Sequence, residues 1–224
     1  MTAQIAQLIT GSDSAELVRD RIATILLEEQ ANQQVLAPPQ DPRLWALRIF
    51  TEASNPWEQF QAEPAQLDAT PLVNVQLDKI EPDISGSNIV ERQKVVGTYN
   101  IDVYGYGVSA AAGGGHVPGD QKAALEVYRA ARLVRRILMS SFYTYLGTDL
   151  RGTVWKRWVS SIQVFKPSED RRPVEHVMGA RVVFEVTFNE FSPQIHAQIL
   201  DTIAISVTRT GSGELLFNET IQIP

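Results

Sequence analysis

Lys94-Val95-Val96-Gly97-Thr98-Tyr99-Asn100-Ile101-Asp102-Val103-Tyr104-Gly105-Tyr106-Gly107 is the stretch that decides the fold. Tyr99, Ile101 and Val103 alternate with Asn100, Asp102 and Tyr104. A period of two gives an extended chain one apolar face and one more polar face. Strands of an all-parallel sheet, covered on both sides, read apolar throughout. The alternation therefore predicts a long strand over 94–107 in a largely antiparallel sheet.

The neighbours repeat the pattern. Upstream, Leu72–Ile80 sets Val73, Val75 and Leu77 against Asn74, Gln76 and Asp78, which predicts a half-buried strand. Leu44–Glu52, rich in aromatic and branched residues, reads as another strand, and Asn55–Leu67 as a loop or short helix. Downstream, Trp155–Lys166 reads as a strand ended by Pro167. In Ala180–Phe191, Val182, Phe184, Val186 and Phe188 alternate with Arg181, Glu185 and Thr187. The segment between them, Ser168–Val174, reads as a charged loop.

Two helices complete the body. Asp13 and Glu16 form a capping-box pattern ahead of Leu17, Val18, Ile22, Ile25 and Leu26, which share a face at helical spacing. Pro38-Pro39 stops that helix. Asp120 reads as the cap of a longer helix over Gln121–Leu146, with Gly147 at its end. Ala124, Val127, Tyr128, Ala131, Val134, Leu138, Phe142 and Tyr145 form its apolar face; Lys122, Arg129, Arg132 and Arg136 form its basic face. Val108–Gly119, just ahead of it, is an Ala/Gly segment that reads as a flexible loop.

The tail repeats the strand pattern once more. Thr202–Thr208 and Glu214–Ile223 flank Gly211-Ser212-Gly213, and Ile203, Ile205 and Val207 alternate with polar residues, the pattern of a hairpin. An isolated two-stranded hairpin is marginal in water. It packs on its own chain or extends the sheet of a neighbour. The whole order predicts an α+β fold: a largely antiparallel sheet with two main helices packed on it and a C-terminal β-hairpin extension. Residues 1–191 read as the body and 192–224 as the hairpin arm.

Composition narrows the function. The chain has 224 residues, 44% of them hydrophobic, and no cysteine. It can build a sizeable core, and it has neither a disulfide framework nor a thiolate metal site. No apolar run approaches the roughly 20 residues of a membrane helix. Met1–Thr10 lacks the basic start of a secretory signal. The net charge of -6 is uneven. Residues 1–90 carry 5 basic and 13 acidic residues, whereas residues 91–190 carry 14 and 10. That split suits contact between complementary surfaces, and it is also within ordinary surface variation.

Catalytic patterns are weak. Gly114 and Gly119 have the spacing of a phosphate-binding loop, but Asp120 and Gln121 stand where Lys and Ser/Thr are required. His116, His176 and His196 are far apart and have no ligand-spaced neighbours. There is no G-x-S-x-G elbow. A carboxylate pair for glycoside hydrolysis stays open on spacing alone. The basic helix face could meet phosphates, but Glu126 interrupts it. Trp155, Trp158, Phe142 and Tyr143 read as core. The sequence thus predicts neither an enzyme nor a cofactor.

In outline, the body from Asp13 to Phe191 resembles the tail-terminator and neck proteins of tailed bacteriophages. The resemblance is carried by the N-terminal amphipathic helix, the strand Leu44–Glu52 and the strand Gly97-Thr98-Tyr99-Asn100-Ile101-Asp102-Val103-Tyr104-Gly105. The long helix over Ala123–Leu146 and the segment Gly179-Ala180-Arg181-Val182-Val183-Phe184-Glu185-Val186-Thr187-Phe188 complete it. The tail hairpin goes beyond the minimal terminator pattern. The resemblance implies a structural virion protein, assembled in the host cytoplasm. It would form a ring, usually a hexamer, that caps the tail tube and joins it to the head connector. It could also anchor sheath protein. Genomic DNA would pass through without sequence readout, and no cofactor or membrane would be involved. The interface candidates are Lys122, Arg129, Arg132, Arg136, Ile203, Ile205 and Val207, with the basic helix face meeting the acidic N-terminal half. A head-completion connector or sheath-associated protein is the alternative within that class. A hydrolase and a nucleic-acid-binding module are the alternatives outside it.

Overall fold

Asp13 and Glu16 form the expected capping box, and helix α1 (Ser14–Leu36) follows. Ala15, Val18, Ile22, Ala23, Ile25 and Leu26 are buried along it. Leu17, expected on the same face, is exposed, because its position lies across the helix from Ile22. The computed structural model describes residues 12–37, 39–62, 70–84, 89, 92–112, 115–147, 153–169, 172–173, 176–191, 202–208 and 215–222. It is an α+β fold with the helices packed against a five-stranded, mostly antiparallel sheet.

The expected strand Leu44–Glu52 is shorter than its composition suggests. Asp41 accepts a hydrogen bond from the Arg43 N–H, Pro42 presets the backbone, and Pro42–Trp45 winds into a 3-10 turn. Only Arg48–Thr51 extends, as β1, and it pairs parallel with β2 (Leu72–Pro82). Between them lie a 3-10 turn at Pro56–Glu58 and the short helix α2 (Gln59–Ala62). β3 (Arg92–Tyr106) pairs antiparallel with β2. The expected Ala/Gly loop contains a small ribbon, β4 (Ala110–Ala112) with β5 (Gly115–Val117).

Helix α3 (Gly119–Leu138) begins after Pro118, with Asp120 in its first turn rather than at the cap. It also ends two turns earlier than Leu146. Ser140 caps a 3-10 turn at Ser141–Tyr143, and Leu146 and Gly147 reverse the chain at positive φ, 55° and 105°. Arg157 explains the stop. Its guanidinium gathers the carbonyl oxygens of Leu138, Ser140 and Tyr143, which a continuing helix would have used itself. Phe142 and Tyr145, expected on the buried face of a longer helix, are exposed, as is Tyr128.

β6 (Val154–Phe165) follows, then a two-residue pair, β7 (Ser168–Glu169) with β8 (Arg172–Pro173), inside the expected charged loop. β9 (Val177–Phe191) then enters the sheet between β3 and β6. The strand order is β1-β2-β3-β9-β6. Both α1 and α3 lie on one face, over a continuous core that includes Val75, Tyr99, Ile101, Val182, Phe184 and Phe188. The chain divides into two compact units, Ile9–Phe191 and a second that groups Met1–Leu8 with Ser192–Pro224, so the first residues fall outside the body expected over 1–191. In the second, β10 (Thr202–Thr208) pairs antiparallel with β11 (Leu215–Gln222), from Thr202↔Gln222 to Thr208↔Leu215. The turn at 211–213 lies outside the described residues.

Candidate interaction surfaces

Helix α3 buries Ala123, Val127, Ala130, Ala131, Val134, Ile137 and Leu138 against the sheet and turns its opposite side outward. Three of the four predicted basic residues, Lys122, Arg132 and Arg136, are exposed there. Arg129 is not. Its side chain is 15% exposed and ion-pairs with Glu126 at 2.6 Å, and it also donates to the Leu44 carbonyl oxygen. It fastens the Pro42–Trp45 turn to α3 instead of joining the free face. Arg135 is exposed and takes its place. The outward side also carries Leu125, Tyr128 and Met139. Sequence reasoning missed Leu125 and Met139, which belong to neither the apolar nor the basic stripe it had drawn, and placed Tyr128 on the buried face.

A cleft of about 440 Å³ opens between α1, the Trp45 turn and the end of α3. Its polar groups answer one another. Glu29 accepts hydrogen bonds from Gln33, Asn32 and the Tyr143 hydroxyl at 2.8, 3.0 and 3.0 Å. Although partial burial opposes ionisation, these donors hold the Glu29 carboxyl below its usual range. Burial first, and Glu29 second, pushes the Tyr143 hydroxyl up to about 12. Tyr143 is buried as expected, whereas Phe142 beside it is 83% exposed. Such a set positions the end of α3 against α1 and has no group poised to lose or gain a proton near neutrality.

The other face of the sheet departs most from its expected half-exposed state. Arg181 on β9 holds Asp102 on β3 with two hydrogen bonds of 2.7 and 2.8 Å, and the Asp102 side chain is 3% exposed. The Tyr104 hydroxyl donates to the same carboxylate at 3.3 Å, and burial raises that hydroxyl's pKa far beyond its ordinary value. Asn74 exchanges two hydrogen bonds with the Ala53 backbone, and Asn100 donates to Asp78. Leu72, Tyr104, Val177 and Phe60 form a small second core at the end of this face.

The remaining sequence candidates separate. Gly119 starts α3 where a Cβ would meet the His176 Nδ1 at 2.4 Å, and a Cβ on Gly107 would meet the Gly119 carbonyl oxygen at 2.2 Å. The glycines there allow the end of β3 to touch the start of α3. Gly114 and His196, and the side chains of His116, Ile203, Ile205 and Val207, lie outside the described residues. Trp155, expected in the core, is exposed, and Lys156 lies over the Trp158 ring at 4.6 Å. Among the described residues no group of three or more His, Asp or Glu could hold a metal ion, and no helix is long and apolar enough to cross a membrane.

No protein-family model matches this chain, and no curated protein matches it either.

Proposed function

We propose that this chain is a structural subunit of a tail terminator or neck ring in a tailed bacteriophage, one that closes on copies of itself. The place in a phage tail follows the resemblance over residues 13–191, and one observation carries the self-association. Both long helices turn large apolar side chains outward among their charges, Leu17, Leu27 and Val35 on α1, and Leu125 and Tyr128 on α3 with Met139 at its C-terminal cap. Apolar residues scattered singly on a surface are ordinary; aligned along a helix face they suit a protein partner. The polar networks inside the body, around Asp102 and around Glu29, are paired with their own neighbours and hold the fold rather than a reactant.

In this reading the mechanism is geometric. A closed ring matches the symmetry of the tail tube and presents an upper face that does not repeat the polymerising surface, so growth stops. The ring would then meet the head connector above and, in a contractile tail, sheath protein outside, while DNA passes without base contacts. Native mass spectrometry tests the central claim. A discrete closed oligomer, six copies by the resemblance, is expected, with rings in negative-stain images. A monomer at every concentration overturns it.

A further inference from the structure

We infer that copies of this chain join through their long helices, the outward stripe of α3 in one copy lying on the outward stripe of α1 in the next. The inference rests on the reading that the chain associates with itself, and it names the surfaces that do so.

The two stripes are complementary in charge. Helix α1 carries four acids, Glu16, Asp20, Glu28 and Glu29, and two bases. Both bases lie to the flanks. Arg19, with its side chain 19% exposed, bridges Asp20 and Glu52, and Arg21 donates to the Leu146 carbonyl oxygen at 2.8 Å while pairing with Glu28. The outermost positions are left to Glu16, Asp20 and Glu28. Helix α3 is the reverse, with five bases and two acids. Its acids are engaged inside the chain, Asp120 with Lys166 and Glu126 with Arg129. Lys122, Arg132, Arg135 and Arg136 face outward.

The stripes also match in shape. Leu17, Asp20, Leu27 and Ala31 recur at spacings of three, four or seven, as do Leu125, Tyr128, Arg132, Arg135 and Met139. These spacings keep residues on one line along a helix and suit side-by-side packing. Val35 is 78% exposed and Leu125 60%. Stripe on stripe, three large apolar residues from each helix leave water together while acids meet bases. A duplex would satisfy the cations of α3 but leave Leu125, Tyr128 and Met139 without an apolar partner. Two α3 stripes together would bring like charges into contact. The α1 stripe of a second copy answers both demands.

The test uses two full-length variants. One carries Arg132→Glu, Arg135→Glu and Arg136→Glu; the other carries Glu16→Lys, Asp20→Lys and Glu28→Lys. All six side chains are exposed, and unchanged circular dichroism with a cooperative melt certifies the fold. In native mass spectrometry at low salt the wild type is expected to be oligomeric and each variant alone monomeric. An equimolar mixture should reassemble with an affinity within about tenfold of wild type, because each reversed stripe then finds an opposite one. Variants that stay oligomeric overturn this interface and leave self-association standing. Variants that fall apart but do not reassemble when mixed overturn the pairing of α3 with α1. A wild type that is monomeric at all concentrations, and retained on DNA only while the α3 arginines are present, overturns both readings and assigns the basic stripe to nucleic acid.

Discussion

The two faces of the sheet are built from the same strands and are held by different physics. Under the helices, Tyr99, Ile101, Phe184 and Phe188 are fully buried, and the one polar atom among them, the Tyr99 hydroxyl, donates to the Ala15 carbonyl oxygen at 3.0 Å. On the reverse face no long helix among the described residues lies across the centre, yet Asn74, Thr98, Asn100, Asp102 and Thr187 are buried. Their neighbours in adjacent strands bury them, and side-chain hydrogen bonds hold Asn74, Asn100 and Asp102 there. Apolar burial is tolerant of geometry and scales with area; the polar face depends on each group finding its own partner.

Breaking the helix side should cost most. Phe184→Ala leaves a cavity between sheet and helices and is expected to cost about 3–5 kcal/mol in denaturant unfolding; a loss under about 1 kcal/mol would remove the helix-covered core from its leading place. On the reverse face, Arg181→Met strands the Asp102 carboxylate and should cost about 1–3 kcal/mol. Adding Asp102→Leu should return most of that loss, because an apolar pair needs no partner. If the double variant is as unstable as the single, the polar face is not held by this pair. At the seam between the elements, Arg157→Met should cost about 1–2 kcal/mol and speed amide exchange in residues 139–146, because the carbonyls of Leu138, Ser140 and Tyr143 lose their donor.

The smallest effect concerns Glu190, which accepts hydrogen bonds from the Ser14 N–H and hydroxyl at 3.5 and 3.4 Å. Burial, the largest influence, raises its pKa. Its folded-state pKa therefore lies above the unfolded value, and the folded state holds the proton longer. Stability should fall slightly as pH rises through the window from the usual glutamate pKa to the raised one, then level off. Glu190→Gln should flatten that decline in melts followed across acid pH. An unchanged slope would remove Glu190 as its source.

Much of the body was legible because periodicity is local. The alternation in Lys94–Gly107 and Ala180–Phe191, and the capping box at Asp13, predicted β3, β9 and the start of α1 to within a few residues. The misreadings cluster where a distant residue intervenes. Between Leu138 and Leu146 the capping Ser140 is a weak local signal for the end of α3; the stronger agent is Arg157, on the next strand. Arg129 looked like its neighbours on the basic stripe until the turn at Leu44 claimed it. Alternation placed Asp102 on the polar face of its strand but carried no sign of its burial, because its partner Arg181 is 79 positions away.

The order of helices and strands, their antiparallel habit and the segregation of charge between the N-terminal half and the middle of the chain follow from the sequence alone. They depend on residues a few positions apart, whose contacts each element makes by itself. Which charges stay free, which are buried and where α3 stops were decided in three dimensions. A side chain's environment is set by whatever the folded sheet and helices bring against it, and linear spacing carries no record of those partners.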